Sequence, residues 1–108
     1  MMVEGAGAYR HVVLFKFKPS ASNDVVVAIE NGFRAMCAQM PFVRGLEWGR
    51  NISPEGHDEG FTHCFIVTMD GPEGLDAYLP HPAHHDFVRR HLEPSLEKVC
   101  VVDFHSTR

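Results

Sequence analysis

The sequence has no long apolar run and no cluster of basic residues. No stretch approaches the roughly 20 consecutive apolar residues that a membrane-spanning helix needs. The N-terminal "MMVEGAGAYR" lacks the basic segment followed by an apolar segment that marks a secretory signal. Lys and Arg number 10 against 14 Asp and Glu, and the net charge is -4. We therefore expect no membrane segment and no nucleic-acid or anionic-membrane partner.

Cysteine is also scarce. Cys37, Cys64 and Cys100 are odd in number, far apart in the chain, and each lies within an apolar run. This pattern favours buried, reduced thiols over a disulfide framework. We expect a protein of a reducing compartment, which for this composition predicts a cytoplasmic location.

The common catalytic motifs are missing as well. The chain contains no GxSxG, no GxGxxG and no P-loop, and we predict no catalytic cysteine–histidine pair. Nucleophilic, dinucleotide-dependent and phosphoryl-transfer chemistry therefore lack their sequence signals. Acid–base chemistry or simple ligand binding remains.

What the sequence does contain is enough for one hydrophobic core. The chain has 108 residues, of which 44% are apolar, and this is typical of a single compact domain. Glycine and alanine at positions 5–8 predict a short flexible tail over residues 1–8. Residues 9–108 are expected to form the domain.

Side-chain periodicity predicts the elements of this domain. Apolar residues alternate in the strands and recur every three or four residues in the first helix. Pro80 and Pro82 are expected to break the second helix, which ends by Pro94. In order, we predict a strand over 9–18, a helix over 24–40, strands over 42–51 and 61–70, the broken helix, and a strand over 98–105. The order βαββαβ predicts an α+β, ferredoxin-like fold with a four-stranded antiparallel sheet and both helices on one face.

The face of the sheet away from the helices is also predicted to be apolar. We call it the outer face; its apolar residues are Val12, Leu14, Cys64, Ile66, Cys100, Val102 and Phe104. No further element of the chain is available to cover it. The simplest cover is a second copy, which predicts a homodimer formed through this face.

Histidine is the residue type that stands out, with eight in the chain. His11 and His63 share strand faces with Phe and Val, and in "YLPHPAHHDF" Tyr78 precedes His81, His84 and His85. His81 fits the start of a helix at Pro82. His81 and His84 are spaced to lie on one side of a helix, but no cysteine or carboxylate stands at companion spacing, so we predict no metal site. A neutral imidazole beside a phenol is instead suited to proton transfer, with Tyr78 and His84 as the pair.

The chain resembles the stress-responsive dimeric α/β-barrel (Dabb) family. The resemblance runs through "HVVLFKFK", "WGRNISPEG", "GFTHCFIVTMD", "YLPHPAH" and "VCVVDF". It implies a ferredoxin-like protomer that pairs face to face into a dimeric α/β barrel, and a stress-associated role.

Some members of that family are enzymes that cyclise a linear polyketide by aldol condensation. The resemblance implies that His84 is the catalytic base, that Tyr78 supports it, and that His11 and His63 bind the substrate. It implies no cofactor, and a small hydrophobic carbonyl or phenolic compound as ligand. The alternative that the family leaves open is a noncatalytic, stress-associated structural oligomer.

Overall fold

The structure, a computed structural model, describes residues 7–107. The tail predicted over residues 1–8 lies outside this range except for its last two positions. The chain forms β1 (Tyr9–Phe17), α1 (Asn23–Ala38), β2 (Val43–Arg50), β3 (His63–Met69), α2 (Pro72–Tyr78), α3 (Pro82–Phe87) and β4 (Leu96–His105). A π-helical turn, Val88–Leu92, continues α3. The four strands form one antiparallel sheet in the order β2-β3-β1-β4, so the predicted ferredoxin-like α+β fold is confirmed.

Helix α1 begins and ends for local reasons. The Ser22 side chain accepts a hydrogen bond from the backbone N–H of Val25. Asp24 lies in the first turn, where its negative charge is stabilised by the positive end of the helix dipole. The apolar residues predicted to recur every three or four positions in this helix, Val25, Ile29, Phe33, Met36 and Met40, form a stripe that is buried at all but the first. Val25 is only partly buried, and the stripe instead widens to include Val26 and Cys37.

The second helical region is broken where the prolines predicted. Pro72 opens α2, Pro82 opens α3, and the segment between them turns the chain. The π-turn after α3 was not predicted. Gly32 lets α1 approach this region closely, because a Cβ at that position would lie 3.2 Å from Cε1 of Phe87 and 3.3 Å from Nε2 of His91.

The core lies between the helices and one face of the sheet. Burial alternates along β1 and β3, so that Phe15, Phe65 and Val67 are fully buried. The rings of Phe33 on α1 and Phe65 on β3 stack at 4.5 Å between centroids. Each such side chain contributes roughly 1.5–3 kcal/mol through burial. This layer therefore fixes α1 across the middle of the sheet.

The pairing of the strands confirms the composition of the outer face. Val12 pairs with Ile66 on one side and with Val102 on the other, and Leu14 pairs with Cys64 and Cys100. Val102 is 55% exposed and Phe104 is 45% exposed. All three cysteines are free, but only Cys37 is buried; Cys64 and Cys100 are partly exposed on this face. The expectation of buried thiols is therefore wrong for two of the three within a single chain.

Candidate active site

A cavity of about 470 Å³ lies between the β1–β4 side of the sheet and the segment from α2 to the π-turn. Its wall is mostly apolar and includes Val13, Phe15, Phe33, Leu92, Val99 and Val101. Val99 and Val101 are 50% and 52% exposed because they project from the edge strand β4 on the helix side of the sheet. The polar exceptions in the wall are His11, Tyr78, His84, Glu93 and Asp103.

His84 is held in one orientation by the chain break that precedes α3. The His81 side chain caps α3 by accepting from the N–H of Ala83. In the next turn His84 Nδ1 lies 3.0 Å from the carbonyl oxygen of Leu79. A carbonyl oxygen can only accept, so Nδ1 carries the hydrogen and Nε2 of the neutral ring is left with a lone pair. Burial lowers the pKa of His84, which favours this neutral, basic form.

Tyr78 stands beside His84 at the end of α2. The two rings are 4.8 Å apart between centroids, and Tyr78 is 1% exposed. Burial raises the pKa of the phenol, so Tyr78 stays protonated. Within residues 7–107 its hydroxyl has no protein hydrogen-bond partner. A ligand oxygen in the cavity can therefore take this hydrogen bond.

His11 completes the polar cluster from the sheet. It is 6% exposed, and its ring meets that of Tyr78 edge to face at 5.5 Å. His11 Nδ1 lies 2.8 Å from Oδ1 of Asp103, and the other oxygen of that carboxylate accepts from the Tyr9 hydroxyl at 2.7 Å. Three of the four expected side chains, His11, Tyr78 and His84, thus line one cavity.

Asp103 is a residue of the candidate site that the sequence patterns did not predict. It faces His11 because β1 and β4 pair in the register that places these two residues opposite one another. The signal available in the sequence was a single carboxylate in the apolar run "VCVVDF". That signal gains meaning only when the pairing of β1 with β4 is known, since the two residues are 92 positions apart.

His63 does not line this cavity, in contrast to the expectation that all four side chains meet there. On β3, His63 pairs with Phe15, whereas His11 pairs with Val67, so the two histidines are four residues apart along the sheet, or roughly 13 Å. His63 Nδ1 hydrogen-bonds to Oγ1 of Thr62, and Nε2 lies 3.7 Å from Oε2 of Glu30. Nε2 is buried without a hydrogen-bond partner. His63 therefore lies between β3 and α1, at a distance from the cluster.

The pKa of His63 is lowered by burial first and by the charge of Arg50 second, while Glu30 acts in the opposite direction.

As for metals, residues 7–107 contain no group of three or more His, Cys, Asp or Glu placed to hold an ion. None of the helices in that range is long and apolar enough to cross a membrane.

A four-stranded antiparallel sheet with helices on one face, an apolar outer face and an apolar cavity with a His–Tyr–His cluster defines a ferredoxin-like α+β domain of the α/β-barrel class. The family model described as the stress responsive A/B barrel domain matches residues 9–106 of this chain. The chain therefore belongs to the stress responsive A/B barrel domain (Dabb) family.

Curated relatives agree with this assignment. The stress-response A/B barrel domain-containing protein HS1 of Arabidopsis thaliana is 32% identical over 106 residues, which is 98% of this chain and 96% of that protein. Olivetolic acid cyclase of Cannabis sativa is 26% identical over 80 residues, which is 74% of this chain and 79% of the cyclase.

Solved structures share the fold. The crystal structure of At3g17210 from Arabidopsis thaliana superposes with a TM-score of 0.84 at 31% identity, covering 89% of this chain and 92% of that one. Hydroxynitrile lyase from Passiflora edulis has a TM-score of 0.83 at 22% identity, with 92% and 93% covered. A protein from Thermobifida fusca described as dimeric and ferredoxin-like has a TM-score of 0.77 at 22% identity, with 92% of each chain covered.

Proposed function

We propose that this stress-response A/B barrel domain protein is a cofactor-independent acid–base enzyme that acts on a small apolar carbonyl compound bound in the cavity. The observation that carries the proposal is the orientation of His84. Its Nδ1 is bound to a backbone carbonyl, which leaves Nε2 as a base in an apolar cavity beside the buried hydroxyl of Tyr78. A structural domain does not require this arrangement.

In the proposed reaction, Nε2 of His84 removes a proton from a carbon next to a carbonyl group, and the Tyr78 hydroxyl donates a hydrogen bond to the oxygen on which negative charge develops. The hydrogen bond from Tyr78 gains strength in an apolar cavity, where little water competes for that oxygen. The chemistry is strongest for a carbon between two carbonyl groups, because its proton is the most acidic. The name of the relative olivetolic acid cyclase is consistent with ring closure of such a compound.

The test uses an aldol adduct of acetone and benzaldehyde, an aryl β-hydroxyketone small enough for the cavity. In D₂O, the protein is expected to accelerate uptake of deuterium at the carbon next to the carbonyl. Proton NMR measures this exchange as the loss of the signal of that carbon's protons. His84→Asn keeps a hydrogen-bond donor near the position of Nδ1 but removes the base, and should slow this exchange by about 100-fold or more. His85→Asn, at the exposed neighbouring histidine, should leave it unchanged.

The pH dependence gives a second criterion. Because burial places the pKa of His84 below its ordinary value of 6.5, the exchange rate should rise with pH through an inflection below that value and then level off. If the wild-type protein does not accelerate exchange, or if His84→Asn exchanges at the wild-type rate, the catalytic assignment is wrong and the noncatalytic alternative is favoured.

We also infer that the working unit is a homodimer, joined through the outer face into an α/β barrel. Support comes from the apolar character of that face, on which Val102 and Phe104 are about half exposed, and from related folds described as dimeric. Burying this surface against a second copy removes apolar area from water on both chains at once.

A further inference from the structure

The His11 side of the cavity forms a connected chain of polar groups that the reaction proposed above does not use. Asp103 joins His11 and Tyr9, accepting one hydrogen bond on each carboxylate oxygen, at 2.8 and 2.7 Å. Without Asp103, the Tyr9 hydroxyl and Nδ1 of His11 would each lack this hydrogen-bond acceptor. With Asp103 in place, the imidazole of His11 is fixed with its Nδ1 proton toward the strand β4.

This arrangement determines which nitrogen of His11 is available. Nδ1 donates to the carboxylate, so Nε2 of the neutral ring carries the lone pair. Within residues 7–107 this Nε2 has no protein partner, and unlike Nε2 of His63 it is not sealed from solvent. The Asp103 carboxylate therefore fixes both the tautomer and the orientation of the His11 ring.

An aldol reaction also requires a proton donor at the accepting carbonyl oxygen, which lies away from the carbon that His84 deprotonates. Bond formation turns the accepting carbonyl oxygen into an alkoxide, which must be protonated. Tyr78 is a good hydrogen-bond donor, but giving its proton away would leave a phenolate in an apolar site, which burial opposes. The other histidine in the cavity wall is His11, which contacts the Tyr78 ring from the side of the sheet.

We propose that His11 is the second proton-transfer residue of this cavity and that Asp103 is the residue that positions it. The proposal rests on the function proposed above and specifies its substrate class: a compound with an enolisable carbon and a second carbonyl group, so that one oxygen faces His11 while the reacting carbon faces His84.

The protons balance over one aldol turnover. His84 takes a proton from the carbon, the new carbon–carbon bond forms, and the electron pair of the accepting C=O bond moves to oxygen. The imidazolium of His11 gives its Nε2 proton to that oxygen. The proton on His84 then returns to His11 through solvent or the bound hydroxyl, which restores both residues. In the cleavage direction these steps run in reverse: the proton first moves from His11 to His84, His11 then takes the proton of the hydroxyl group, the carbon–carbon bond breaks, and His84 protonates the carbon.

The aryl β-hydroxyketone separates the two roles in a single NMR experiment. Deuterium uptake next to the carbonyl requires a base at the carbon, whereas cleavage to benzaldehyde and acetone requires removal of the hydroxyl proton and then protonation of the carbon. We expect Asp103→Asn and His11→Gln each to lower cleavage by about 100-fold and exchange much less, so that the ratio of cleavage to exchange falls at least tenfold. Glu97→Gln, a second carboxylate of β4 that pairs with Lys16 on the surface, is the matched control and should keep the wild-type ratio.

Two further measurements exclude a merely structural effect. Nitrogen NMR of labelled histidine should show His11 protonated at Nδ1 in the wild-type protein, and this signature should be lost or weakened in Asp103→Asn. Tyr9→Phe keeps Asp103 but removes its second hydrogen bond. It should give a ratio of cleavage to exchange between those of the wild-type protein and Asp103→Asn, and it replaces Asp103→Asn as the test if that variant does not fold.

The outcomes distinguish this proposal from the one on which it rests. If the wild-type protein accelerates neither exchange nor cleavage, the proposed function fails. If exchange depends on His84 but Asp103→Asn and His11→Gln retain the wild-type ratio, His84 performs both proton transfers and the role assigned to His11 and Asp103 is wrong.

Discussion

At the scale of single residues, two histidines of this chain show how surroundings decide the use of one side chain. His84 and His63 both have a pKa lowered first by burial. His84 faces a cavity with its Nε2 free, whereas Nε2 of His63 is enclosed near Glu30 without a hydrogen bond. The position of His84 suits proton transfer, whereas the enclosure of His63 makes the stability of the fold depend on pH.

His63 should make the fold sensitive to mild acid. Below pH of about 6.5, the ordinary pKa, the unfolded chain protonates His63 while the folded chain does not until a lower pH. The free energy of unfolding is therefore expected to fall as the pH is lowered through this window, by at most about 1.4 kcal/mol per pH unit for this one group. His63→Gln should make the dependence shallower in urea titrations at a series of pH values.

The control for this prediction is His57→Gln, because His57 is exposed in the loop between β2 and β3. It should leave the slope of stability against pH unchanged. A slope that is the same in wild-type protein and His63→Gln would show that the enclosed imidazole does not control acid sensitivity.

At the scale of elements, the break between α2 and α3 builds the base side of the cavity. Pro82 fixes the first turn of α3, and His81 caps it through Nδ1, at 3.0 Å from the N–H of Ala83. The same break brings the carbonyl of Leu79 within reach of His84. A helix that continued without interruption would use that carbonyl for its own backbone hydrogen bonds.

The capping role of His81 can be tested by substituting this one residue. His81→Ala removes the acceptor and should lower the free energy of unfolding by about 1 kcal/mol, whereas His81→Asn supplies a good cap and should recover most of that loss. Urea unfolding of the three proteins measures both effects. Equal stability of the alanine and asparagine variants would contradict a capping role for His81.

Elements were easier to predict than the site because their signals are local. Alternation in "HVVLFKF" and the prolines around "YLPHP" fixed strand faces and helix breaks without knowledge of any distant residue. The site depends on pairing between strands. His11 meets Asp103 because of the β1–β4 register, and His63 lies away from the cavity because β3 runs antiparallel to β1 and pairs it with Phe15. The family resemblance supplied residue roles for four positions but no distances between them.

At the scale of the whole molecule, the sheet has two apolar faces and one set of helices. The helix face is covered by α1, α2 and α3, and carries the core. The outer face is occupied in its centre by Val12, Leu14 and Ile66, which are only partly buried in a single chain. A surface of this kind is costly to leave in water, since its free energy scales with the exposed apolar area.

The dimer proposal predicts that a charge on this face changes assembly and not folding. Val102→Asp places a carboxylate on a side chain that is 55% exposed in one chain but would be buried between two sheets. In sedimentation equilibrium the wild-type protein should have twice the 12.2 kDa mass of one chain, and the variant should shift toward 12.2 kDa. Val27→Asp, at an exposed valine of α1, should remain dimeric. A wild-type mass of one chain, or an unchanged dimer in Val102→Asp, would show that this face is not where two copies meet.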